Sequence, residues 1–468
     1  MSKKYDYIVI GSGPAGHVSA VKVAQGGLKV AVIEKDLEMF GGVCLNEGCI
    51  PAKSLYNSAE ILYLAGKHAD LCGLELKSSG VRMSDFVKRS RTASAQLLQG
   101  LSFIFKKNKV DLINGEVRFT SEKDIQVTDA DGKTYTMTAD KYLIAAGSEP
   151  KALKEVPFDG KTIISSSQAI RLESVPGKIL IIGGGAIGTE FASFFNILGS
   201  EVTIAEVEDA ILPTEDRDVS RRLATIFKQQ GISLLTSSRV TGAKVSSDGA
   251  VVTIKSGDKD VKEKYDIVIV SVGRVPSTRE LGLDLAGVSV DEKGFVPVDE
   301  KMMTNVKNIY AAGDVVSSPM LAHVASAEGE IAAGAVSGSK VDRIDPGAIP
   351  NAVYTRVQVA SVGMTEEQVK DKGLNYSAGK EFFKANGKAV VTSETDGFIK
   401  VLAESDSHKI LGAHIVGHNA TDLIHEFVVA KRKGLTVDDI ADTVHAHPTF
   451  SESAAEACRA VFGKPLHG

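Results

Sequence analysis

The sequence predicts an α/β fold with two Rossmann-like dinucleotide-binding domains followed by a C-terminal α+β domain. Three observations predict it. A strand, a glycine-spaced turn, a helix, a second strand and a terminal acid occur in that order from Tyr5 to Glu34. The same unit recurs from Lys178 to Glu206. From about Pro350 onward, strand-like and then helix-like stretches follow with no glycine turn, which is the pattern of a separate α+β module.

In the first unit, Tyr5 to Ile10 reads YDYIVI, a short apolar strand. Gly11 suits the tight turn, Gly13 the close approach of a pyrophosphate and Gly16 the close packing of the helix expected over His17 to Gln25. The N-terminus of that helix is an anion site. A second strand, Lys29 to Ile33, ends at Glu34, an acid placed for ribose hydroxyls. In the second unit Lys178 to Ile182 is the strand, Gly183, Gly185 and Gly188 repeat the spacing, Thr189 to Leu198 suits a helix, and Val202 to Ala205 leads to Glu206. Two such units imply two dinucleotides. A carboxylate at Glu206 accepts from ribose hydroxyls and repels a 2′-phosphate, which favours NAD over NADP. Val207 to Ala210 add two acids and no base, although Glu208 and Asp209 can also be read as caps of the next turn.

Between and after these units, Leu97 to Asn108 resembles an amphipathic helix whose Lys106 and Lys107 form a solvated end. A strand follows around Asp111 to Gly115, and Tyr142 to Pro150 reads YLIAAGSEP, a strand leaving through Gly147 toward a dinucleotide. Ile267 to Pro276 reads IVIVSVGRVP, with Gly273 in the same place, and Asn308 to Val315 reads NIYAAGDV, strand to glycine to Asp314. The expected organisation is a first domain over 1–150, a second over 151–279, a segment over 280–349 that completes the first, and a terminal domain over 350–468. In the last, Ala352 to Val362, Gly397 to Leu402 and Ile410 to Val416 read as strands, and Ala420 to Arg432 and Glu452 to Phe462 as helices.

Composition excludes several classes. At 468 residues the chain is too long for one core. Its 54 basic and 59 acidic residues leave a net charge of −5 with no long basic block, which argues against nucleic acid and anionic membranes as partners. No run of about eighteen apolar residues occurs, so no spanning helix is expected. The start, MSKKYDYIVIGSGPAG, is too briefly apolar for a signal peptide. The mature chain is thus expected to begin near Met1 in the cytoplasm, where a disulfide is usually catalytic.

Gly41 to Ser54 reads GGVCLNEGCIPAKS and holds two of the four cysteines, Cys44 and Cys49. Such a pair can be a redox couple, half a metal site or two inert core thiols. Positions five apart on a straight helix are turned by about 140° and rise about 7.5 Å, beyond the roughly 7 Å limit between Cα atoms for a disulfide. The segment must bend if a bond is to form. Pro51 cannot donate within a helix and pushes Ile50 out of α geometry, while Gly48 permits a tight turn, so a looped or distorted helix start is expected. His17 and His68 supply no matching second half for a metal. Inert thiols are the bland alternative, and the balance favours a reactive dithiol. Cys72 and Cys458 read as buried single thiols.

A dithiol also benefits from a base. Ala446 to Glu452 reads AHPTFSE, and histidine is the usual base for thiol exchange near neutral pH. His447 is stiffened by Pro448, and Glu452 is placed to accept from its other ring nitrogen. Taken alone, a histidine near a glutamate reads as a structural pair. His445 lacks that alignment and reads as structural.

On GGVCLNEGCIPAK, the two glycine units and HPT-x-x-E, the chain resembles the flavoprotein disulfide reductases over essentially its whole length. The resemblance implies a redox disulfide between Cys44 and Cys49, with His447 and Glu452 as base and partner. It also implies that the terminal domain forms a homodimer interface, across which the base is donated to the other chain's dithiol. It places FAD at the first unit, with Gly11, Gly13, Gly16, Glu34, Lys53, Gly115, Gly147, Asp314 and Ala322, and NAD at the second, with Gly183, Gly185, Gly188, Glu190, Glu206 and Gly273. Flavin chemistry suits a dithiol, because two electrons pass between thiols and nicotinamide only through a carrier that reacts with both. Lys53 and Glu190 are implied to pair near the reactive edge of the flavin. Within the family, CLNEGCIPAK, Glu206 and HAHPTFSE most resemble members that oxidise protein-bound dihydrolipoyl groups with NAD. The implied partners are the lipoyl domains of acyltransferase components or the lipoyl carrier protein of glycine cleavage. Val43, Glu47 and Ala52 depart from the pattern beside the cysteines, and Ala146 stands where the family usually has threonine.

Overall fold

The structure is a computed structural model that describes residues 3–69, 71–76, 80–257, 259–339 and 343–467; the expected chain start at Met1 lies outside them. The chain divides into two units, one of Met1–Leu55, Ser84–Lys151 and Gly273–Ile344, the other of Tyr56–Met83, Ala152–Val272 and Asp345–Gly468.

The first unit is built on parallel strands. Asp111–Asn114, Val30–Glu34, Lys3–Ile10 and Thr134–Ile144 lie side by side, with Ile309–Ala311 parallel to the last. Val30–Glu34 is buried at every position, as a strand covered on both faces must be. One core layer gathers Ile8, Ile33, Tyr142 and Ile309, and the other sets Tyr7, Val9, Val32 and Leu143 against Ala20 and Ala332 of two helices, Pro14–Gln25 and Ala322–Ser337. Ile10 pairs with both Ile33 and Ile144, and Ala311 with Ile144. The strand ends are therefore level, so Gly11, Glu34 and the Gly313–Asp314 turn all emerge at the carboxyl edge, where such sheets bind ligands.

The second unit has a parallel sheet in the order Ser233–Leu235, Glu201–Ala205, Lys178–Ile182, Ile267–Val270 and Ile163–Ile164. Ile182 is level with Ala205 and Val270, which repeats the arrangement of the first unit. Its other large sheet is antiparallel, in the order Pro350–Val353, Gln358–Gly363, Ile410–Gly417, Phe398–Glu404 and Tyr376–Phe382, and shares a core with the helices Ala420–Lys433, Val437–Ala441 and Glu452–Ala460.

Some expectations are corrected. The single strand expected over Ala352 to Val362 is two, because the N–H groups of Tyr354 and Arg356 donate to Glu190 (2.8 Å) and Ser193 (2.9 Å) instead of to a neighbouring strand. The helix expected from Leu97 begins at Met83, since its polar first half, MSDFVKRSRTAS, hides the period. The first helix begins at Pro14, whose missing N–H has no intrahelical partner there anyway. Cys458 is buried as expected, but Cys72 is exposed, because it lies in the turn after the helix Cys49–His68. Among the described residues no helix is long and apolar enough to cross a membrane, and no group of three His, Cys, Asp or Glu side chains is disposed to hold a metal ion.

Candidate active site

Gly41 and Gly42, both at positive φ, turn the chain into the short helix Gly42–Asn46. A Cβ on Gly42 would lie 2.5 Å from the Cα of Gly13, so this helix rests directly on the first glycine turn. The N–H of Gly41 donates to Ser12 Oγ (2.9 Å), whose own hydroxyl donates to the buried Glu34 (2.6 Å). The helix stops at Glu47, and the next, Cys49–His68, begins two residues later. Gly48 makes the join possible, since a Cβ there would sit 3.0 Å from the Val43 carbonyl oxygen and 3.3 Å from the Cα of Cys44. The bend therefore falls between the two cysteines. Ile50, expected outside α geometry, is helical, because the N–H of Ala52 bonds the Gly48 carbonyl (3.1 Å) and holds Pro51 within the first turn.

Cys44 and Cys49, the pair expected to form the disulfide, lie within hydrogen-bonding reach of each other. Their mutual hydrogen bond, and then burial, pushes the Cys44 thiol up, while the ammonium of Lys53 pulls it down. Thiolate, not thiol, is the form that exchanges.

The two glycine turns have nearly the same geometry. A Cβ on Gly11 would meet the Ala145 carbonyl oxygen at 2.3 Å, and one on Gly183 the Ser271 carbonyl oxygen at 2.6 Å. Gly16 lies so close to the Gly11 carbonyl that a Cβ would be 2.0 Å away, and Gly188 to that of Gly183 at 1.9 Å. The middle glycine of each turn faces space instead: nothing lies within 4 Å of a Cβ on Gly185, and only the Cα of Gly42 within 3.9 Å of one on Gly13. Each turn is a closed loop of backbone with room for a pyrophosphate at the head of a helix, so the residues fit two dinucleotides.

Around the first turn, Asp314 accepts from Ser148 Oγ (2.5 Å), and the guanidinium of Arg274 donates to that hydroxyl (2.6 Å) and to the Ser148 carbonyl (2.5 Å). Burial lowers the Arg274 pKa, against the opposing pull of Asp314, Glu47 and Cys49. Gly313 donates to the buried Glu328 (2.7 Å), six residues into the helix that begins at Ala322. Sequence reading missed Arg274, Ser148 and Glu328, which come from three separate segments; the R of GRVP was the available signal. Gly115 donates to the Glu34 carbonyl (3.0 Å), next to the acid expected at the ribose, and Val127 fills the place of its Cβ. Gly147 and Gly273 flank a ladder between Ser148–Pro150 and Arg274–Pro276. Gly273, expected with the second turn, directly follows Ser271 and Val272, whose backbone lies against Gly183 of that turn.

At the second turn Glu206 is buried and accepts the N–H of Gly184 (2.5 Å) and of Glu208 (2.8 Å). Glu190 is buried in the helix after that turn and accepts the Tyr354 N–H. Tyr56 also bonds Glu190, and burial first and this carboxylate second drive the phenol well above its ordinary range.

His447 is 77% exposed, and its Nδ1 lies 2.9 Å from Glu452, whose other oxygen accepts the Thr449 N–H (2.8 Å). Burial raises the Glu452 pKa, but Thr449 and His447 together bring it below the ordinary range. The tautomer this favours leaves Nε2 unprotonated. His445 spends both nitrogens, on Glu426 (2.9 Å) and the Thr443 carbonyl (2.9 Å), which accords with a structural role.

The family model described as pyridine nucleotide-disulphide oxidoreductase matches residues 5–329, and that family's dimerisation domain matches 349–458. The chain is 40% identical over its whole length to the whole of a dihydrolipoyl dehydrogenase of Zymomonas mobilis. It is 40% identical, over 99% of its length and 89% of the relative's, to a leghemoglobin reductase of Glycine max. Among solved structures, LpdA of Mycobacterium tuberculosis is similar with a TM-score of 0.89 and 27% identity, over 97% of this chain and 99% of that one.

Proposed function

The chain belongs to the pyridine nucleotide-disulphide oxidoreductase family, and on that footing we propose that it oxidises protein-bound dihydrolipoyl groups with NAD, the reaction of a dihydrolipoyl dehydrogenase. Its cofactors are FAD and NAD, which when bound supply a two-electron path from thiols to a hydride acceptor. In the proposed sequence, His447 takes a proton from a dihydrolipoyl thiol at Nε2. The substrate thiolate attacks Cys44 of the oxidised pair, and Cys49 leaves as thiolate. The second substrate thiol then displaces Cys44, its proton passing to the departing Cys44 sulfur and the proton held by His447 returning to the Cys49 thiolate, which releases the lipoyl disulfide and leaves Cys44 and Cys49 as the dithiol. FAD held at the first glycine turn and NAD at the second would supply the two-electron acceptor with which the Cys44–Cys49 bond re-forms, one thiol proton leaving with the electron pair and the other to solvent.

Gly11, Gly13, Gly16, Glu34, Lys53, Gly115, Gly147, Asp314 and Ala322 are assigned to FAD, Gly183, Gly185, Gly188, Glu190, Glu206 and Gly273 to NAD. The corresponding domains are 1–150 with 280–349, and 151–279, with 350–468 forming the homodimer interface. The partners are lipoyl domains of 2-oxo acid dehydrogenase complexes or the glycine cleavage carrier, and the compartment is the cytoplasm, where paired cysteines serve catalysis.

One observation carries this reading. The helix break at Glu47 and Gly48 brings two thiols into hydrogen-bonding reach on top of the first glycine turn. Identity to the Zymomonas mobilis dihydrolipoyl dehydrogenase supports the choice of substrate. Anaerobic titration of the flavin's visible absorbance tests it. Stoichiometric bleaching by dihydrolipoamide, reversed by NAD, is expected. Bleaching by NADH without any by dihydrolipoamide would favour another disulfide or quinone reductase of the family.

A further inference from the structure

We infer that Asp209 is a second residue setting the choice of nucleotide, because it holds Arg217 where that side chain cannot receive a 2′-phosphate; this rests on the reading that the second glycine turn takes NAD with Glu206 at the ribose. Glu206 follows the strand Glu201–Ala205, and the chain then turns through an exposed Val207 to Asp209. By sequence this loop holds acids only. The fold brings a cation to it from eight residues farther on. Arg217 Nη1 lies 2.8 Å from one oxygen of Asp209, and Nη2 contacts the other, a bidentate pair. Asp209 is held below the ordinary carboxylate range, first by that hydrogen bond, and Arg221 adds positive charge from the next turn of the same helix.

Helix stability does not explain Arg217. It is the first residue of the helix Arg217–Gln229, where a cation opposes the macrodipole. The acids on either side of it have other tasks: Asp216 caps Asp218 and binds Lys400, and Asp218 binds Lys380 and Lys400. Both members of the Asp209–Arg217 pair are exposed, so the pair adds little to stability. Its effect lies in what it forestalls. A guanidinium beside the ribose-binding acid is the group that accommodates a 2′-phosphate, and a phosphate would take the same two N–H groups that Asp209 occupies.

The holoenzyme, Asp209→Asn and the double variant Asp209→Asn with Arg217→Gln test this by steady-state kcat/KM for NADH and NADPH, and by inhibition with 2′,5′-ADP against 5′-AMP. Asp209→Asn is expected to raise NADPH efficiency about five-fold, the scale of one exposed charge pair. Inhibition by 2′,5′-ADP should tighten in parallel, with NADH and 5′-AMP nearly unchanged, and the double variant should lose the gain. Unchanged NADPH efficiency and 2′,5′-ADP inhibition in Asp209→Asn, or a gain that survives loss of Arg217, would overturn the inference while the NAD preference stands. Equal use of both nucleotides by the unmodified enzyme would instead sink the Glu206 reading, and this inference with it.

Discussion

Glu452 holds Nδ1 of His447 at 2.9 Å with one carboxylate oxygen and the N–H of Thr449 at 2.8 Å with the other. The second bond fixes the carboxylate, so the first fixes the imidazole, and a base is useful only if its free nitrogen is aimed.

Loss of the base itself should therefore cost more than loss of its anchor. His447→Ala is expected to lower dihydrolipoamide turnover by roughly 10²-fold or more, the usual range for general base catalysis. Glu452→Gln keeps a hydrogen-bond acceptor and should lose about ten-fold. Reduction of the flavin by NADH, followed by stopped flow, should be unaffected in both. A loss of that half-reaction as well would show that the pair supports the fold and not proton transfer.

The second glycine turn separates packing from binding. Gly185 has φ −73° and open space where a Cβ would stand, so Gly185→Ala should fold with a loss of no more than about 1 kcal/mol at this helix cap. It should nonetheless bind NADH more weakly, because the added methyl intrudes on the pyrophosphate. Gly188→Ala must displace the Gly183 carbonyl, 1.9 Å from the new atom, and should lose stability by roughly 1–3 kcal/mol or more. Melting temperature and fluorescence titration with NADH read the two effects. Unaltered affinity in Gly185→Ala would remove the nucleotide from this turn.

These glycines were legible in the sequence because their contacts are local: Gly16 packs on Gly11, and Gly188 on Gly183, within one turn of chain. The helix break at Gly48 was legible for the same reason, although its position two residues before Ile50 was not. Arg274 and Ser148 meet Asp314 only through the crossing of three segments, so although Asp314 was legible from its own strand and glycine, no spacing announced its two partners. Tyr376–Phe382, YSAGKEF, went unread as a strand because Gly379 interrupts its alternation, and Gly379 is required by the close pass of the Ala457 carbonyl, 2.2 Å from where a Cβ would lie.

A buried lysine gives the second unit a pH-dependent joint. Lys400 is enclosed by Asp216 (2.8 Å), Asp218 (3.0 Å) and Glu366 (2.6 Å). Burial alone would raise all three carboxylates, yet their bonds, chiefly to Lys370 and Lys400 for Glu366, hold Glu366 down to about 2 and lower both aspartates. A depressed carboxylate stabilises the fold above its unfolded pKa and ceases to as the pH falls through its folded one. Stability should therefore decline from about pH 5 toward pH 2. Lys400 is shifted the other way, so its contribution persists at neutral pH. Lys400→Met should cost on the order of 3–5 kcal/mol near pH 7, where it leaves buried carboxylates unpaired, and less near pH 4. Thermal unfolding at the two pH values checks this, and equal losses at both would exclude the electrostatic account.

The dithiol and the base are far apart in sequence (447 − 49 = 398) and fall in different units of the chain. His447 also stands 77% exposed, on the module matched by the family's dimerisation domain. If the base serves the dithiol of the partner chain, a heterodimer of Cys49→Ser and His447→Ala chains has one site with both groups intact and one with neither. Each homodimer lacks one group at both of its sites. Mixing the two inactive proteins under conditions of subunit exchange is expected to restore dihydrolipoamide turnover toward half the unmodified activity per heterodimer. A base acting on its own chain's dithiol would leave the surviving Cys49 and the surviving His447 on different chains, and nothing would return. Heterodimers identified by differential tagging that remain inactive would therefore refute the shared site while leaving the disulfide chemistry in place.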